Sequence, residues 1–538
     1  MGLLIFEKDL NTFVFRCTFS EKDIPKRAGF KWDNDNKVWH EPDHARAFKL
    51  IEFATDSAKN EINKRTGISF KIPPIIAKSG VKLMKHQHEA VDFILARKNA
   101  YYAGDPGVGK TAVAITVAST LCYTTEHTPQ VLVICPPFLA LNWVEEIKKF
   151  ARFQPASVEI VGSMRHKLSG RAAWVILPDS LLQSELVREN IIEHGNFDIL
   201  IADEAHRFKN EKAVRTKALY GHNAKRKGIT GLITVARRVL LLSGTPMPNR
   251  PIELFPCINA LAPHLIYGMT IFEYGLRYCQ GQRTEWGWDF SGASNVQELH
   301  ERVIGTLMLR HSKEDCLDLP AKMIRTKKLQ SDITKKTEKL LKNVSGEDID
   351  NILDNPMSEL GEMATLRSEL SLIKADAAID FIEGAVEESG KVLVFAWHKK
   401  AIAHLEVKLT NIFGPDSVVV NDGSVSMKAR HTNVREFQEN KKVKVMIGQI
   451  ETMVGITLTS AYRGIFVEMS WQPGQNEQAM DRLHRIGQTE KVIIDILSIE
   501  HDLDERVFKS LKYKEKTISE FLTGETAKKK RVTNDFEH

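Results

Sequence analysis

The sequence predicts an α/β protein with two parallel-sheet lobes, a helical linker between them and a small α+β module at the N-terminus. The chain has 538 residues, which is enough for two or three domains that each bury a core. A short apolar segment, a glycine-rich loop and a helical segment follow one another at residues 100–122, the order expected in a parallel α/β sheet. A polar, charged stretch at residues 331–363 separates this region from the remainder of the chain.

The chain is predicted to have five segments. They are an accessory module at 1–75, a first lobe with a helical insertion at 76–328, a helical linker at 329–375, a second lobe with a closing brace helix at 376–525, and a basic tail at 526–538. We expect Pro73 and Pro74 to make the first boundary extended. Within the module, FKWDNDNKVWH at residues 30–40 predicts an aromatic β-hairpin, and residues 43–53 predict a helix after it.

Composition excludes several classes of protein. The chain is 43% hydrophobic and 27% charged, which is typical of globular proteins, and no apolar run approaches the ~18 residues of a membrane span. Charges at residues 7–9 come too early for a signal peptide, so we expect an intracellular protein. The six cysteines are scattered, which predicts neither a disulfide framework nor a zinc site. The net charge of +6 is too small to identify a partner.

The glycine-rich loop at Gly104–Thr111 reads GDPGVGKT and fits the phosphate-binding pattern GxxxxGK[ST]. Its glycines allow backbone N–H groups to surround phosphates at a helix N-terminus. Lys110 would supply a positive charge to the β and γ phosphates, and the Thr111 hydroxyl would bind Mg²⁺. The predicted nucleotide-binding residues are Gly104, Asp105, Gly107, Gly109, Lys110 and Thr111. The alternative is a glycine-rich turn in an ordinary α/β domain.

A second acidic motif follows the apolar segment FDILIA and reads DEAH. Asp203 is predicted to bind the metal, and Glu204 to orient and deprotonate an attacking water. The alternative for a lone DEAH is a surface tetrapeptide. The motif's place directly after a strand, downstream of the phosphate-binding pattern, favours an ATPase site that uses ATP and Mg²⁺.

The order of motifs in the first lobe resembles the Swi/Snf-type DNA translocases of helicase superfamily two, which implies RecA-like lobes. LMKHQHEAVDFIL resembles the motif in which a glutamine reads adenine, here Gln87. VLVICPPFLALNWVEEIKKF resembles a DNA-contacting segment, which implies contacts from Pro136 and Trp143. LLLSGTPMPNRPIELF resembles motif three. The resemblance also implies that four residues couple the nucleotide site to movement along DNA. They are His206, Ser243, Thr245 and Gln478.

The second lobe carries the more diagnostic resemblance. KVLVFAWHKKAIAHLE resembles its first strand and helix, and VKVMIGQIETMVGITLTSA resembles motif five, in which Gly455 is the position most in need of special backbone angles. QAMDRLHRIGQ resembles motif six of the Swi/Snf group, where Arg482 and Arg485 would face the γ phosphate across the cleft. In isolation, two arginines on one helical turn would favour a solvated surface.

Within this group the sequence resembles the annealing-helicase branch, in residues 277–303 and in the motif five ending GITLTSA. The N-terminal hairpin resembles the HARP module of that branch, so Lys31, Trp32 and Trp39 are candidate DNA contacts. The alternative is that the tryptophans form the core of the module. Three departures from the group are the GDPG start of the phosphate loop, Met453 and Val454 in place of small residues in motif five, and His311 in place of a usual arginine.

The resemblance implies an ATP-dependent motor that translocates on double-stranded or forked DNA, rewinding or remodelling it. Single-stranded DNA or a nucleoprotein is a further candidate partner, and we expect a monomeric motor in the cytoplasm or nucleoid, or in the nucleus of a eukaryote. One alternative is a strand-separating DNA or RNA helicase. Another is a DNA-binding protein that uses ATP as a switch with little turnover. Residues 528–531, KKKR, predict an import signal, a DNA tether or a solvated terminus.

Overall fold

The structure is a computed structural model. It describes residues 2–7, 10–43, 46–47, 49–55, 57–59, 61–62, 75, 78, 80–123, 130–152, 157–222, 228–285, 287–330, 361–453, 456–499 and 502–524. Several predictions lie outside the described residues: the extended boundary at Pro73 and Pro74, the first part of the helical linker, Gly455 and the basic tail.

The N-terminal module is a four-stranded antiparallel sheet with a short helix. Its strands are β1 Leu3–Glu7, β2 Thr12–Arg16, β3 Lys31–Asp33 and β4 Val38–Glu41, in the order β1-β2-β4-β3, and its helix is Asp23–Ala28. Alternate residues of the strands turn one apolar face to the core, where Phe13, Phe15 and Phe30 are buried. The predicted hairpin is β3–β4. Of the predicted helix at 43–53, the described parts are helical residues 46–47 and a 3₁₀ turn, Ile51–Phe53.

The first lobe contains a seven-stranded sheet in which every pairing is parallel. Its strands are β5 Asn99–Gly104, β6 Val131–Cys135, β7 Val158–Ile160, β8 Trp174–Pro178, β9 Ile199–Ala202 and β10 Val239–Leu242; a separate hairpin of β11 Gln282–Thr284 and β12 Gly287–Asp289 follows, and then β13 Met308–His311 completes the sheet. The order is β13-β5-β10-β9-β6-β8-β7. The central strands are apolar runs because helices cover both faces of such a sheet.

The second lobe contains a six-stranded sheet, also entirely parallel. Its strands are β14 Lys322–Leu329, β15 Val392–Ala396, β16 Val418–Asn421, β17 Val445–Gln449, β18 Arg463–Phe466 and β19 Val492–Ile499, in the order β14-β19-β18-β15-β17-β16. All eight residues of β14 pair with β19. The second sheet thus begins at Lys322, a few residues before the predicted lobe boundary at 328.

Helices flank both sheets. In the first lobe they are Lys85–Leu95, Lys110–Tyr123, Ala140–Phe150, Glu185–His194, Val214–Tyr220, Phe255–Leu261, Ile271–Tyr278, Val296–Val303 and Lys313–Cys316. Gly361–Ala377, Ile379–Ser389, Lys399–Phe413, Met427–Glu439, Pro473–Met480 and Asp502–Thr523 follow. The last of these is the predicted brace helix, and it packs on Val296–Val303 of the first lobe.

No helix in the described ranges has both the length and the hydrophobicity that a membrane crossing requires. The predicted fold class, two parallel-sheet α/β lobes, is confirmed.

The N-terminal module docks on the first lobe through a buried carboxylate. Glu21 accepts a hydrogen bond from the Tyr267 hydroxyl at 3.1 Å, and its Oε1 lies 3.8 Å from Arg302 Nη2. Arg27 donates in turn to the Tyr267 carbonyl at 2.9 Å. The guanidinium of Arg302 stacks on the Tyr267 ring, 4.2 Å from its centre. The module and the first lobe therefore share a partly apolar, partly ionic interface.

Candidate functional site

The site motifs of the first lobe lie at the ends of three neighbouring strands. In the sheet β5, β10 and β9 are adjacent, and they end at Gly104, Leu242 and Ala202. The glycine-rich loop, motif three and DEAH follow these strands directly. Because parallel strands end at the same edge of a sheet, the fold brings the three motifs together, although they are far apart in sequence.

The glycine-rich loop has the backbone geometry of an anion cradle. Gly107 and Gly109 have φ values of 97° and 87°, in the left-handed region that favours glycine. The helix Lys110–Tyr123 begins directly after the loop, and Thr111 is its second residue. The Lys110 ammonium lies inside the loop, where Nζ donates to the carbonyl of Gly104 at 2.8 Å. A loop of this shape, open at a helix N-terminus, binds phosphate.

Gln87 lies against the same loop. Its Nε2 donates to the Val108 carbonyl at 3.2 Å, and its Oε1 accepts from the N–H of Met84 at 3.0 Å. A Cβ added to Gly109 would come within 2.3 Å of Gln87 Nε2, so this position admits only glycine while Gln87 stays in place. The predicted adenine-reading residue therefore lies beside the phosphate loop.

Asp203 and Glu204 form a buried acidic pair next to Lys110. Glu204 has a φ of 49°, a left-handed conformation that is rare for a glutamate and typical of functional sites. Burial raises the pKa of Asp203, and the neighbouring Glu204 carboxylate raises it further. Burial would also raise the pKa of Glu204, but His206, Lys110 and Arg482 together lower it below its ordinary value. Glu204 is therefore ionised at neutral pH.

Pro136 and Trp143, the residues of the first lobe predicted to contact DNA, do not lie on the surface. Both side chains are buried, and that of Trp143 is only 1% exposed. The Trp143 indole donates from Nε1 to Asp203 Oδ2 at 2.9 Å. Packing against the sheet turns the ring away from solvent and toward the acidic pair, so Trp143 lies beside the residue predicted to bind the metal. A donor this far along the chain from Asp203 leaves no local signal in the sequence.

The predicted coupling residues are in mutual contact. His206 Nδ1 lies 3.0 Å from Ser243 Oγ and 3.3 Å from Glu204 Oε2. Ser243 Oγ also accepts from the N–H of Thr245 at 3.1 Å. A Cβ on Gly244 would approach Pro106 of the phosphate loop to 2.8 Å, so motif three lies directly on that loop. Van der Waals contact and hydrogen bonds therefore connect the phosphate loop, DEAH and motif three.

Motif six of the second lobe reaches the site across the cleft. Gln478 Nε2 donates to Thr245 Oγ1 at 3.0 Å, a direct hydrogen bond between the lobes. Arg482 is buried and Arg485 is half-buried, so neither belongs to the solvated surface that was the alternative prediction. Arg485 and Arg482 both direct Nη1 to the carbonyl of Ile456, at 3.1 Å and 3.4 Å.

The arginine pair lies over the phosphate loop. An ideal Cβ on Gly107 would be 3.6 Å from the Cβ of Arg485. Burial, together with the charge of Arg485, lowers the pKa of Arg482 to about 10, so the guanidinium remains protonated at neutral pH. Two cations from one lobe thus face the lysine and carboxylates of the other.

The donor set fits Mg²⁺. Magnesium prefers oxygen ligands and commonly takes one or two carboxylates together with phosphate oxygens. Asp203 supplies a buried carboxylate, and the half-buried Thr111 supplies a hydroxyl at the end of the phosphate loop. Glu204 Oε2 is buried, and it lies 3.3 Å from His206 Nδ1. Among the described residues no side chain or backbone group gives it a well-formed hydrogen bond, so it can accept one from a bound molecule.

The two tryptophans of the aromatic hairpin in the N-terminal module differ in exposure. Trp32 and Trp39 are a direct cross-strand pair with ring centres 5.4 Å apart. Trp39 packs against the core of the module, whereas Trp32 is 46% exposed beside the exposed Lys31. Trp39 is thus partly a core residue, and the surface that remains for a partner is formed by Trp32 and Lys31.

The departure at His311 has a packing explanation. The His311 ring makes edge contacts with His86 and Tyr102, at 5.8 Å and 5.7 Å between ring centres. Tyr102 OH lies 3.2 Å from His311 Nδ1. An imidazole therefore fills a slot between two aromatic rings beneath the phosphate loop.

Sequence reasoning missed the charged residues that surround Asp105 and Arg482. Arg310 and Lys313 reach Asp105, and Lys313 also pairs with Asp481. The one signal was an aspartate next to the first arginine of QAMDRLHRIGQ, on an otherwise buried helical turn.

Two protein families match this chain. The SNF2-related domain family matches residues 86–377, and the helicase conserved C-terminal domain family matches residues 373–487. A solved structure of the Sulfolobus solfataricus SWI2/SNF2 ATPase core in complex with dsDNA is 22% identical, with a TM-score of 0.38, and covers 82% of this chain and 94% of that chain.

Two curated proteins are similar over most of this chain. The SWI/SNF-related matrix-associated actin-dependent regulator of chromatin subfamily A-like protein 1 of Xenopus tropicalis is 30% identical over 477 residues, 88% of this chain and 48% of that protein. The DNA annealing helicase and endonuclease ZRANB3 of Homo sapiens is 31% identical over 464 residues, 83% of this chain and 41% of that protein. The chain thus spans less than half the length of either relative. Because the first family match extends over more than half of the chain, this protein belongs to the SNF2-related family.

Proposed function

We propose that this chain is a DNA-dependent ATPase that translocates on double-stranded DNA and rewinds or remodels it, as an annealing helicase does. The observation that carries the proposal is the position of Arg485 and Arg482, which come from the second lobe and lie over the phosphate loop of the first. Similarity to a relative named as a DNA annealing helicase supports the type of activity.

The chemistry follows from the side chains. Lys110 and the loop amides would hold the β and γ phosphates, and Gln87 the adenine. Bound Mg²⁺, held by Asp203 and Thr111, would neutralise phosphate charge. Glu204 is ionised, so it can accept the proton of an attacking water.

Closure of the cleft completes the site. A guanidinium from the second lobe stabilises charge on the transferring phosphoryl group only when the lobes are close together. Hydrolysis would then be tied to relative motion of the lobes, and each cycle would move the motor along the DNA backbone. Contacts to phosphates would dominate, so sequence dependence should be weak. The protein would then act on genomic DNA, in a nucleoid or in a nucleus.

The first test is the ATPase rate with duplex, forked and single-stranded DNA and with RNA, for the wild type and for Glu204→Gln. We expect duplex or forked DNA to stimulate the wild type most. Glu204→Gln should lower the rate by about 100-fold or more while nucleotide still binds, because general-base catalysis contributes that much. Stronger stimulation by RNA would favour the helicase alternative. A rate that is negligible with every nucleic acid would favour the ATP switch.

A second assay separates rewinding from unwinding. We expect the protein to displace the third strand of a triplex in an ATP-dependent reaction, since a motor that tracks duplex DNA removes whatever is bound along it. Robust separation of a forked duplex without triplex release would contradict the proposal.

A further inference from the structure

The end of β13 and the segment that follows it contact the phosphate loop through side chain and backbone. The Asp105 carboxylate accepts the backbone N–H of Lys313 at Oδ2, 2.9 Å away, and its Oδ1 lies 2.5 Å from Arg310 Nη2. Arg310 also donates to the carbonyl of Ala103 at 2.9 Å. Asp105 begins the loop, so this segment fixes the loop's position in the first lobe.

The side chain of Lys313 extends into the second lobe. Its ammonium forms an ion pair with Asp481 and donates to the His484 carbonyl at 3.1 Å. Lys313 is 3% exposed and Asp481 1%. Asp481 immediately precedes Arg482. Lys313 therefore contacts the phosphate loop through its backbone N–H and the arginine motif through its side chain.

The pair lies where the chain passes from β13 of the first sheet to β14 of the second. On the second-lobe side, Lys322 of β14 is 3.9 Å from Asp481, and His484 Nε2 lies 2.7 Å from the carbonyl of Pro320. Hinges between domains are typically a few loop or element-terminal residues, and this crossover is a connection of that kind.

We propose that Lys313 and Asp481 are positioning residues, a buried pivot that holds Arg482 and Arg485 in register with the phosphate loop when the cleft closes. This proposal rests on the proposed ATPase function. The pair touches no reacting atom, and it acts on catalysis by fixing the distance between the arginines and the loop.

Because the pair is buried, the loss of either charge should be costly. A buried charge that loses its partner is strongly unfavourable, whereas neutralising both partners is much less so. Removing either charge should therefore make the remaining charged residue move toward solvent or another partner, which displaces the arginine turn relative to the phosphate loop. A misplacement of about 1 Å can reduce a rate by roughly 100-fold.

The test compares Lys313→Met, Asp481→Asn and the double variant with Lys327→Met, which removes an exposed lysine from β14. Three quantities are measured: the affinity for a fluorescent ATP analogue, the DNA-stimulated kcat, and hydrogen exchange at residues 478–488 with and without ADP–beryllium fluoride. We expect kcat to fall about 10-fold or more in both single variants, within the range that misplacement produces. Nucleotide affinity should change by less than about 3-fold, because the phosphate loop keeps its own contacts to backbone amides.

Further results are specific to positioning. The protection that the nucleotide analogue induces at residues 478–488 should be lost in both single variants and retained in Lys327→Met. The double variant should be no slower than the slower single variant, since interacting partners are not additive. Asp481→Asn preserves volume and carries the test if Lys313→Met does not fold.

An unchanged kcat together with a lower melting temperature would overturn the proposal, because the pair would then only stabilise the fold. Equal losses of nucleotide affinity and kcat would overturn it as well, since the loop itself would have been disturbed. If the wild type shows no DNA-stimulated hydrolysis, the proposed function fails, and the exchange measurement still tests the pivot on its own.

Discussion

At the scale of single residues, the hydrogen bond from Trp143 to Asp203 joins a core side chain to the predicted metal ligand. The indole N–H fixes the orientation of a buried carboxylate. Residues that orient metal ligands typically contribute 10- to 100-fold in metal affinity or activity. We predict that Trp143→Phe raises the Mg²⁺ concentration for half-maximal ATPase activity by about 10-fold, measured by titrating Mg²⁺ at saturating ATP and DNA.

The chain provides a matched control for this substitution. Trp174 is fully buried in the same cluster, but its indole nitrogen has no hydrogen-bond partner among the described residues. Trp174→Phe makes the same change of volume without removing a bond to a carboxylate. Equal Mg²⁺ dependence in the two variants would show that Trp143 only fills space.

The predictability of individual residues depended on how local their chemistry is. Gly107, Gly109 and Lys110 could be predicted because the phosphate cradle is formed by one short stretch of chain. Trp143 and Lys313 could not, because their partners come from other strands or from the other lobe. Sequence similarity suggested a surface role for Trp143, and only packing revealed that it points inward.

At the scale of elements, Glu468 links the end of β18 to the helix Lys399–Phe413. It accepts the N–H groups of Trp397 and His398 at 3.0 Å and 2.9 Å, and its Oε1 lies 2.6 Å from His398 Nδ1. Burial alone would raise the pKa of Glu468, but the hydrogen bonds and charge of His398 lower it below its ordinary value. Glu468 therefore stabilises the second lobe most when it is ionised.

We predict that Glu468→Gln lowers the free energy of unfolding by about 1.5–3 kcal/mol at neutral pH, the usual contribution of hydrogen bonds to a charged group. A carboxyl with a depressed pKa contributes stability above its unfolded-state pKa, near 4.3, and loses it as the pH falls through the lower folded-state pKa. The difference between wild type and variant in urea unfolding should thus shrink below about pH 4. Asp376→Asn, which removes an exposed carboxylate paired with His404, is the control and should change little.

Arg302 joins the N-terminal module to the first lobe through Glu21 and Tyr267. We predict that Arg302→Ala exposes the docking surface, because buried Glu21 would lose a cationic neighbour. Hydrogen exchange at residues 13–30 should become faster. Arg16→Ala removes a solvent-exposed pair with Glu7 from the same module and should leave exchange at those residues unchanged. Equal effects of the two variants would argue against docking through Arg302.

Sequence patterns predict the central strands of the sheets but do not predict the pairing of the edge strand β14. Runs such as VLVIC and ILIA are apolar throughout, so they predict central parallel strands. β14 reads KMIRTKKL, which carries charges because it is an edge strand, and the sequence gives no sign that it pairs with β19. Its assignment to the second sheet depends on a contact that only the fold provides.

At the scale of the whole molecule, the hydrogen bond from Gln478 to Thr245 connects the lobes at the point where motif three meets motif six. Thr245 contacts the phosphate loop indirectly through Ser243 and Gly244, and Gln478 is one turn before Arg482. The bond therefore joins motif three to motif six at a point outside the phosphate loop.

We predict that Gln478→Ala lowers triplex displacement more than it lowers ATP hydrolysis. The arginine pair and Glu204 are unchanged, so ATP can still be hydrolysed, but closure is less firmly connected to motif three. The measurement is the number of ATP molecules hydrolysed per triplex released, which should rise several-fold, since a lost neutral hydrogen bond of about 1 kcal/mol corresponds to roughly that factor. Gln297→Ala, at an exposed site on the first lobe, is the control. If both rates fall in the same proportion, Gln478 serves hydrolysis itself, and coupling between nucleotide and track must be carried by other contacts across the cleft.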